Sequence, residues 1–323
     1  MRTKFLQSVC LLVLMLAIPG LALGQNLTVK ITAGTTITVT GKSSLEDALT
    51  GIVLPEITAL EISAGTFTAA DWLYLKSNNK AEIGLIALAN FSITDGVDAV
   101  ADMPTTDGEH PYFSSNLKSF SAHKLQTVGA YAFYNCNKLS NANMPDVTML
   151  GERALANTGG LKQINLPQLE TVGMYAFVNC GVESLTLPKA KNIANYAFMS
   201  AGNLTTIKLP SVTTITAQKL FYGSAVTYLG LSSRPTLSNP KNNTFEGAPS
   251  PRYLLLIDAN GNELTGSDSV SLANSFSGGE WQGYKLDHSR LPINLNIVYN
   301  KGRNTKAGTG NTLKDAITKS GVA

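Results

Sequence analysis

Charge is scarce in this chain. Acidic and basic residues make up 15% of its 323 positions, with 25 Lys and Arg against 22 Asp and Glu. A balance that close to neutral offers nothing to steer the protein toward nucleic acid or an anionic membrane. Histidine is rarer still: His110, His123 and His288 are scattered. No H-x-x-x-H or C-x-x-C spacing occurs, so the pattern of a transition-metal site is missing. Also missing are a Gly-rich phosphate loop, a G-x-S-x-G elbow and a basic stripe interleaved with aromatics. With no convergent acid, base or metal groups, the sequence predicts a protein that is not an enzyme and carries no cofactor.

Long apolar runs are absent past the first two dozen residues. Met1 to Lys4 is basic, Phe5 to Ile18 is almost wholly apolar, and small residues follow to Gly24. This order predicts a secretory signal peptide over residues 1–24. The apolar run is short for a membrane span. Cys10 lies inside it, which does not fit a lipoprotein anchor. Cleavage removes Arg2 and Lys4 and no acid, leaving 23 basic residues against 22 acidic ones. The expected location is outside the cytoplasm: the cell surface, the extracellular space or the periplasm. No membrane-spanning segment is expected after cleavage.

What the chain does have is a repeat. Leu161 opens L-K-Q-I-N-L-P-Q-L-E-T-V-G-M-Y-A-F-V-N-C-G, and Val182 opens V-E-S-L-T-L-P-K-A-K-N-I-A-N-Y-A-F-M-S-A-G-N. Unit starts fall at Leu117, Leu139, Leu161, Val182, Leu204 and Val226, spaced by 22, 22, 21, 22 and 22 residues. Apolar residues three and five places on alternate with polar ones, a strand signal. Proline follows the strand at Pro145, Pro167, Pro188 and Pro210 and ends it, since proline cannot donate to a ladder. A second apolar pair marks a return segment, for example Leu169 and Val172. An Ala-Phe step then puts Phe133, Leu155, Phe177, Phe198 and Phe221 in one column, expected to be a stacked core wedge. Asn135, Asn157 and Asn179 recur at a turn, where Asn is expected to bond neighbouring backbone. Cys136 and Cys180 share a column two coils apart. Coils spaced by about 4.8 Å separate them by roughly 10 Å, too far for a disulfide. Both are expected to be small buried thiols.

A 20–29-residue period built on L-x-x-L-x-L specifies a leucine-rich solenoid. The expected fold is a right-handed leucine-rich repeat coil, an α/β-to-β solenoid with a parallel sheet and about 22 residues per repeat, capped at both ends. Leu-Pro after the strand, joined to Ala-Phe-x-x-Cys, resembles the BspA-like leucine-rich repeat family. The resemblance covers residues 117–248 closely and 57–289 more loosely. It weakens at Leu155 and Thr158, which replace Phe and Cys, and at Ser232, which replaces Pro. It implies cell-surface adhesion, with host matrix proteins or other cells as partners.

The flanks read as caps. Residues 26–40 alternate like a hairpin or edge strand. Leu45–Leu49 reads as a short helix capped by Ser43 or Ser44, and the N-terminal cap as a whole as residues 25–56. Strands are expected around Ile57–Ile62 and Gly84–Phe91, with a helical turn over Asp71–Lys76. Residues 95–111 read as an acidic loop. Asp98, Asp102, Asp107 and Glu109 there have the oxygen chemistry of a calcium site, against the plainer reading of a solvated loop. Arg252–Asp258 reads as the last strand, Asn260-Gly261 as a turn, and Trp281 with Tyr284–Leu286 as the closing cap. Beyond residue 290, Asn294–Ile297 echoes Asn26–Val29, and Leu313–Ile317 echoes Leu45–Leu49, both at an offset of 268. Residues 290–323 are therefore expected to open a second module or form a C-terminal extension.

The outward strand positions form two columns. One is Ser119, Asn141, Gln163, Ser184, Thr206 and Tyr228; the next is Ser121, Asn143, Asn165, Thr186, Lys208 and Gly230. The face is polar, neutral and hydrogen-bonding. It points to a binding module, with contacts expected at Gln163, Asn165, Thr206, Lys208 and Tyr228, of which Tyr is favoured at hot spots. The expected partner is a host extracellular-matrix or other cell-surface protein, with glycans as a second class. The competing readings are a structural spacer of the bacterial envelope and a non-catalytic glycan binder.

Overall fold

The structure is a computed structural model that describes residues 26–50, 57–76, 87–107, 112–237, 244–248, 253–264, 280–281 and 284–286. The expected signal peptide and the segment beyond residue 290 lie outside the described residues. So do Gly84–Ile86, Glu109, His110 and His288.

The chain winds as a solenoid with a strand on one side of each coil and a shorter return strand on another. The start is the N-terminal hairpin, β1 (Leu27–Ala33) and β2 (Thr35–Lys42), turned at Gly34 with φ +76°. Helix α1 (Leu45–Leu49) follows, and Ser44 is its N-cap, accepting from the Asp47 amide. Strand β1 pairs antiparallel with β3 (Ala59–Ala64). After the short β4 (Thr66–Phe67) comes helix α2 (Ala69–Lys76), which starts ahead of the Asp71 that the sequence suggested. Its Trp72 is fully buried and donates to the Ala101 carbonyl at 2.9 Å. The buried Asp71 carboxylate accepts from the amides of Leu45 and Thr68, tying both helices to one point.

From there the strand side is parallel. β5 (Asn90–Ile93), β7 (Ser119–Ala122), β9 (Asn141–Asn143) and β11 (Gln163–Asn165) add in turn to β3. Ser119 lies opposite Asn141 and Asn141 opposite Gln163, so the register advances one 22-residue unit per strand. A second sheet begins at β13 (Ser184–Thr186) and continues through β15 (Thr206–Lys208), β17 (Tyr228–Leu231), β19 (Tyr253–Leu256) and β21 (Tyr284–Leu286), with β20 (Glu280–Trp281) antiparallel at its edge. The strand at Tyr253 is thus not the last, because β21 still extends the parallel sheet. The return side holds β6 (Ala99–Val100) against β4. It then forms a four-stranded ladder, β8 (Thr127–Val128), β10 (Met149–Leu150), β12 (Thr171–Val172) and β14 (Asn192–Ile193). β16 (Thr214–Ile215) pairs with β18 (Thr236–Leu237).

Two ladders break. β11 and β13 belong to different sheets, at the one unit shortened to 21 residues. Ile164, inward by pattern, is left only half-buried there. On the return side β14 and β16 do not pair. In the four-stranded ladder a glycine follows each of the first three strands, at Gly129, Gly151 and Gly173. A Cβ on Gly151 would lie 2.5 Å from the Ala130 amide nitrogen, and one on Gly173 would lie 2.5 Å from the Gly151 carbonyl. Ala194 and Thr216 take over this column, and the ladder opens between them.

The core runs unbroken through both breaks. Phe177, Phe198, Phe221 and Phe245 stack in series at 5.3, 5.7 and 5.9 Å, as the wedge column predicts. Leu155 fills the same position between Phe133 and Phe177 without a ring, and all three are fully buried.

Candidate functional site

The sequence-predicted contacts fall on two sheets. Gln163 and Asn165 are exposed on β11, the last strand of the first sheet. Asn165 Nδ2 donates to Asn143 Oδ1 at 2.8 Å, and Asn143 Nδ2 donates to Ser121 Oγ at 3.3 Å. These side chains form a polar rail perpendicular to the strands, because parallel pairing in register places equal positions side by side. With Ser119, Asn141 and Gln163 they border an open depression of about 440 Å³.

Thr206, Lys208 and Tyr228 sit on the second sheet, beyond the break, and are half-buried. The chain after β19 explains why. Asp258 accepts from the amides of Asn260 and Asn262, closing a turn with Gly261 at φ +88°. The turn lies against the sheet face: a Cβ on Gly261 would come within 2.8 Å of Thr186 Cγ2 and 4.0 Å of Lys208 Cβ. Glu263 then pairs with Lys208 at 3.7 Å. Tyr228 stacks on Tyr253 of the next strand at 5.3 Å. The hydrogen bonds from Asn262 and the turn amides hold the Asp258 carboxyl below its ordinary range. The structure therefore keeps Gln163 with Asn165, keeps Thr206 with Lys208 and Tyr228, and does not join the two groups by a ladder.

The acidic segment is less of a loop than expected. Ala99–Val100 pairs with β4, and Met103 bridges to Val128, so this stretch is a return segment of the solenoid between β4 and β8. Among the described residues no group of three or more His, Cys, Asp or Glu could hold a metal ion. Cys136 and Cys180 are free and buried, and burial pushes the Cys180 thiol up.

Two features of the Ala-Phe corner escaped the column reading. The Asn column bonds to itself rather than to turn backbone: Asn157 Nδ2 donates to Asn135 Oδ1 and Asn179 Nδ2 to Asn157 Oδ1, each at 2.8 Å. All three have φ between +51° and +62°, a conformation asparagine tolerates. Four residues earlier a second column shares that conformation: Tyr131, Arg153, Tyr175, Tyr196 and Lys219, with φ from +46° to +60°. The signal was in the sequence as the residue before each Ala-Phe, but only the backbone angles set it apart.

No curated protein matches the chain significantly. The profile of the BspA type leucine rich repeat region matches residues 105–176 and 170–250, in six copies. The repeats described above are therefore assigned: residues 105–250 of this chain are a BspA type leucine-rich repeat region.

Proposed function

We propose that the protein is an exported, non-catalytic binding module that meets a protein partner at the cell surface through the outward face of its strands. The observation that carries this reading is the rail Ser121–Asn143–Asn165 with Gln163 beside it. It is a flat set of uncharged donors and acceptors, held in place by mutual hydrogen bonds before any partner arrives. Pre-ordered polar side chains lower the ordering cost of binding. Thr206, Lys208 and Tyr228 continue the surface beyond the break, with Lys208 and Tyr228 braced by Glu263 and Tyr253. Leucine-rich solenoids of this kind are typically scaffolds for surface protein–protein contact. No helix among the described residues is long and apolar enough to cross a membrane, and export rests on the basic-apolar-small leader of residues 1–24.

The test passes the purified protein over an array of extracellular-matrix proteins and surface glycans. A specific protein signal that is lost in Gln163→Ala/Asn165→Ala, or in Lys208→Ala/Tyr228→Ala, with the fold intact, supports the reading. Signal on glycans alone moves the assignment to carbohydrate binding. Silence on both favours a structural spacer.

A further inference from the structure

The positive-φ column before each Ala-Phe is the feature that the strand-face reading leaves unused. Left-handed backbone suits glycine and asparagine and strains bulky side chains. The column four residues on meets the same demand with Asn135, Asn157, Asn179, Ser200 and Gly223. The column at issue meets it with three tyrosines, an arginine and a lysine. Bulky side chains held against their backbone preference at five successive coils are the kind of outlier that points to function.

From Tyr131 to Tyr196 the side chains form one continuous stack along the solenoid, and Lys219 follows in the same column. The Arg153 guanidinium lies 5.6 Å from the Tyr131 ring centre and 4.5 Å from that of Tyr175. Tyr175 stacks on Tyr196 at 4.9 Å and 12°. Lys219 lies over Tyr222, whose ring is among the exposed large side chains. Arg153 also donates to Tyr131 Oη and Glu152, and Lys219 pairs with Glu246, so the stripe carries no net charge. Tyr131, Tyr175 and Tyr196 all remain partly exposed.

Three facts narrow the occupant. Both faces of Tyr175 are already covered, by Arg153 and by Tyr196, so a sugar ring has no face there to stack upon. The backbone amides are spent on the coil-to-coil ladder, with Tyr131 donating to Glu152, Arg153 to Met174 and Tyr196 to Gln218; an added β-strand finds no pairing edge. What remains outward is ring edges and the O–H groups of Tyr175 and Tyr196, that of Tyr131 being spent on Glu152, and these call for a partner rich in carbonyl acceptors that needs no backbone pairing. A polyproline II chain is that partner, because it has no internal hydrogen bonds and presents its backbone carbonyls to the outside at a regular spacing. The spacing agrees as well. Its three-residue turn advances about 9.3 Å, and two coils advance about 9.6 Å, so every third residue meets every second rung. The stripe from Tyr131 to Lys219 is about 19 Å long and takes about six residues of such a chain.

We propose that the Tyr131–Arg153–Tyr175–Tyr196–Lys219 stripe binds an extended, uncharged polypeptide segment in the polyproline II conformation, laid along the solenoid axis. This surface is separate from the strand face, and either assignment can fail without the other.

The test titrates the whole chain against fluorescein-labelled decaproline by fluorescence anisotropy, with cellohexaose as competitor. Saturable binding is expected in the wild type and at least a tenfold loss in Tyr175→Asn/Tyr196→Asn. Asparagine suits the positive φ, so circular dichroism and the melting temperature should hold. Tyr175→Phe/Tyr196→Phe keeps the stack and removes the donors, and a several-fold loss is expected there too. Absence of saturable decaproline binding to the wild type overturns the proposal. Undiminished binding by both double variants overturns it also. Displacement by cellohexaose would assign the stripe to a glycan instead.

Discussion

At the scale of the residue, position in a column decides what a side chain is for. Phe198 is fully buried between Phe177 and Phe221, and no rearrangement of one coil can refill its place. Phe198→Ala should cost about 3–5 kcal/mol, typical of a buried ring deleted from a tight core; urea unfolding measures it. Asn157 is held for its backbone and its side chain together. Asn157→Ala forfeits two ladder hydrogen bonds and keeps a Cβ at φ +60° without the side-chain amide that lets asparagine tolerate it, while Asn157→Gly forfeits the bonds but removes the Cβ. The glycine variant should therefore be the more stable by about 1 kcal/mol. Equal stability would deny that the backbone angle matters. Tyr112 carries a pH dependence. Burial raises its phenol above the ordinary tyrosine range, and its hydroxyl donates to the Pro104 carbonyl at 2.9 Å. The unfolded chain ionises this phenol near pH 10 and the folded chain does not. Stability from this group is thus complete below pH 10 and is lost as pH rises beyond it. The fall in melting temperature between pH 9 and 11 should be smaller in Tyr112→Phe than in the wild type.

At the scale of the element, the solenoid is held by registers, and a register is only as good as its closest approach. Gly151 is sandwiched between the backbones of adjoining coils. Gly151→Ala should cost about 1–3 kcal/mol by forcing the return ladder apart, against a near-neutral effect for an alanine at an open turn. A melting curve for the variant decides this. Much of this scale was legible in the sequence. The 22-residue spacing gave strand, proline stop, return pair and wedge, because one side chain per coil per column must repeat when coils stack. The hairpin, the Ser44 cap and the two buried cysteines were legible for the same local reasons. The sheet breaks were not. A unit one residue short and the loss of the glycine after Gly173 are visible as letters, but whether a ladder bends or opens there depends on backbone clearance. Nor was the turn over Lys208 legible, since a turn signal such as Asn260-Gly261 does not say what it packs against. The Tyr and Arg stripe stayed hidden because its signature is a φ angle, which residue type alone argues against.

At the scale of the whole molecule, the design is a ladder of stacked coils whose described strand face is polar and nearly uncharged. Its exposed ion pairs, such as Lys30–Glu61, stabilise it little. Stability comes from the continuous core, which leaves the polar surface positions without a packing role. The depression by Asn143 and Asn165 lies at the strand-side break. A second open cleft, of about 660 Å³, lies at the return-side break and is lined by Thr171, Lys191, Asn192 and Thr214. The breaks thus interrupt otherwise uniform ladders without interrupting the core. The central claim is that the strand face recognises a protein. The measurement that tests it most directly is surface plasmon resonance of the wild type and of Gln163→Lys/Asn165→Lys over the matrix protein that the array selects. The account expects the variant to melt like the wild type and to bind at least tenfold more weakly. Equal affinity in a folded variant would contradict it.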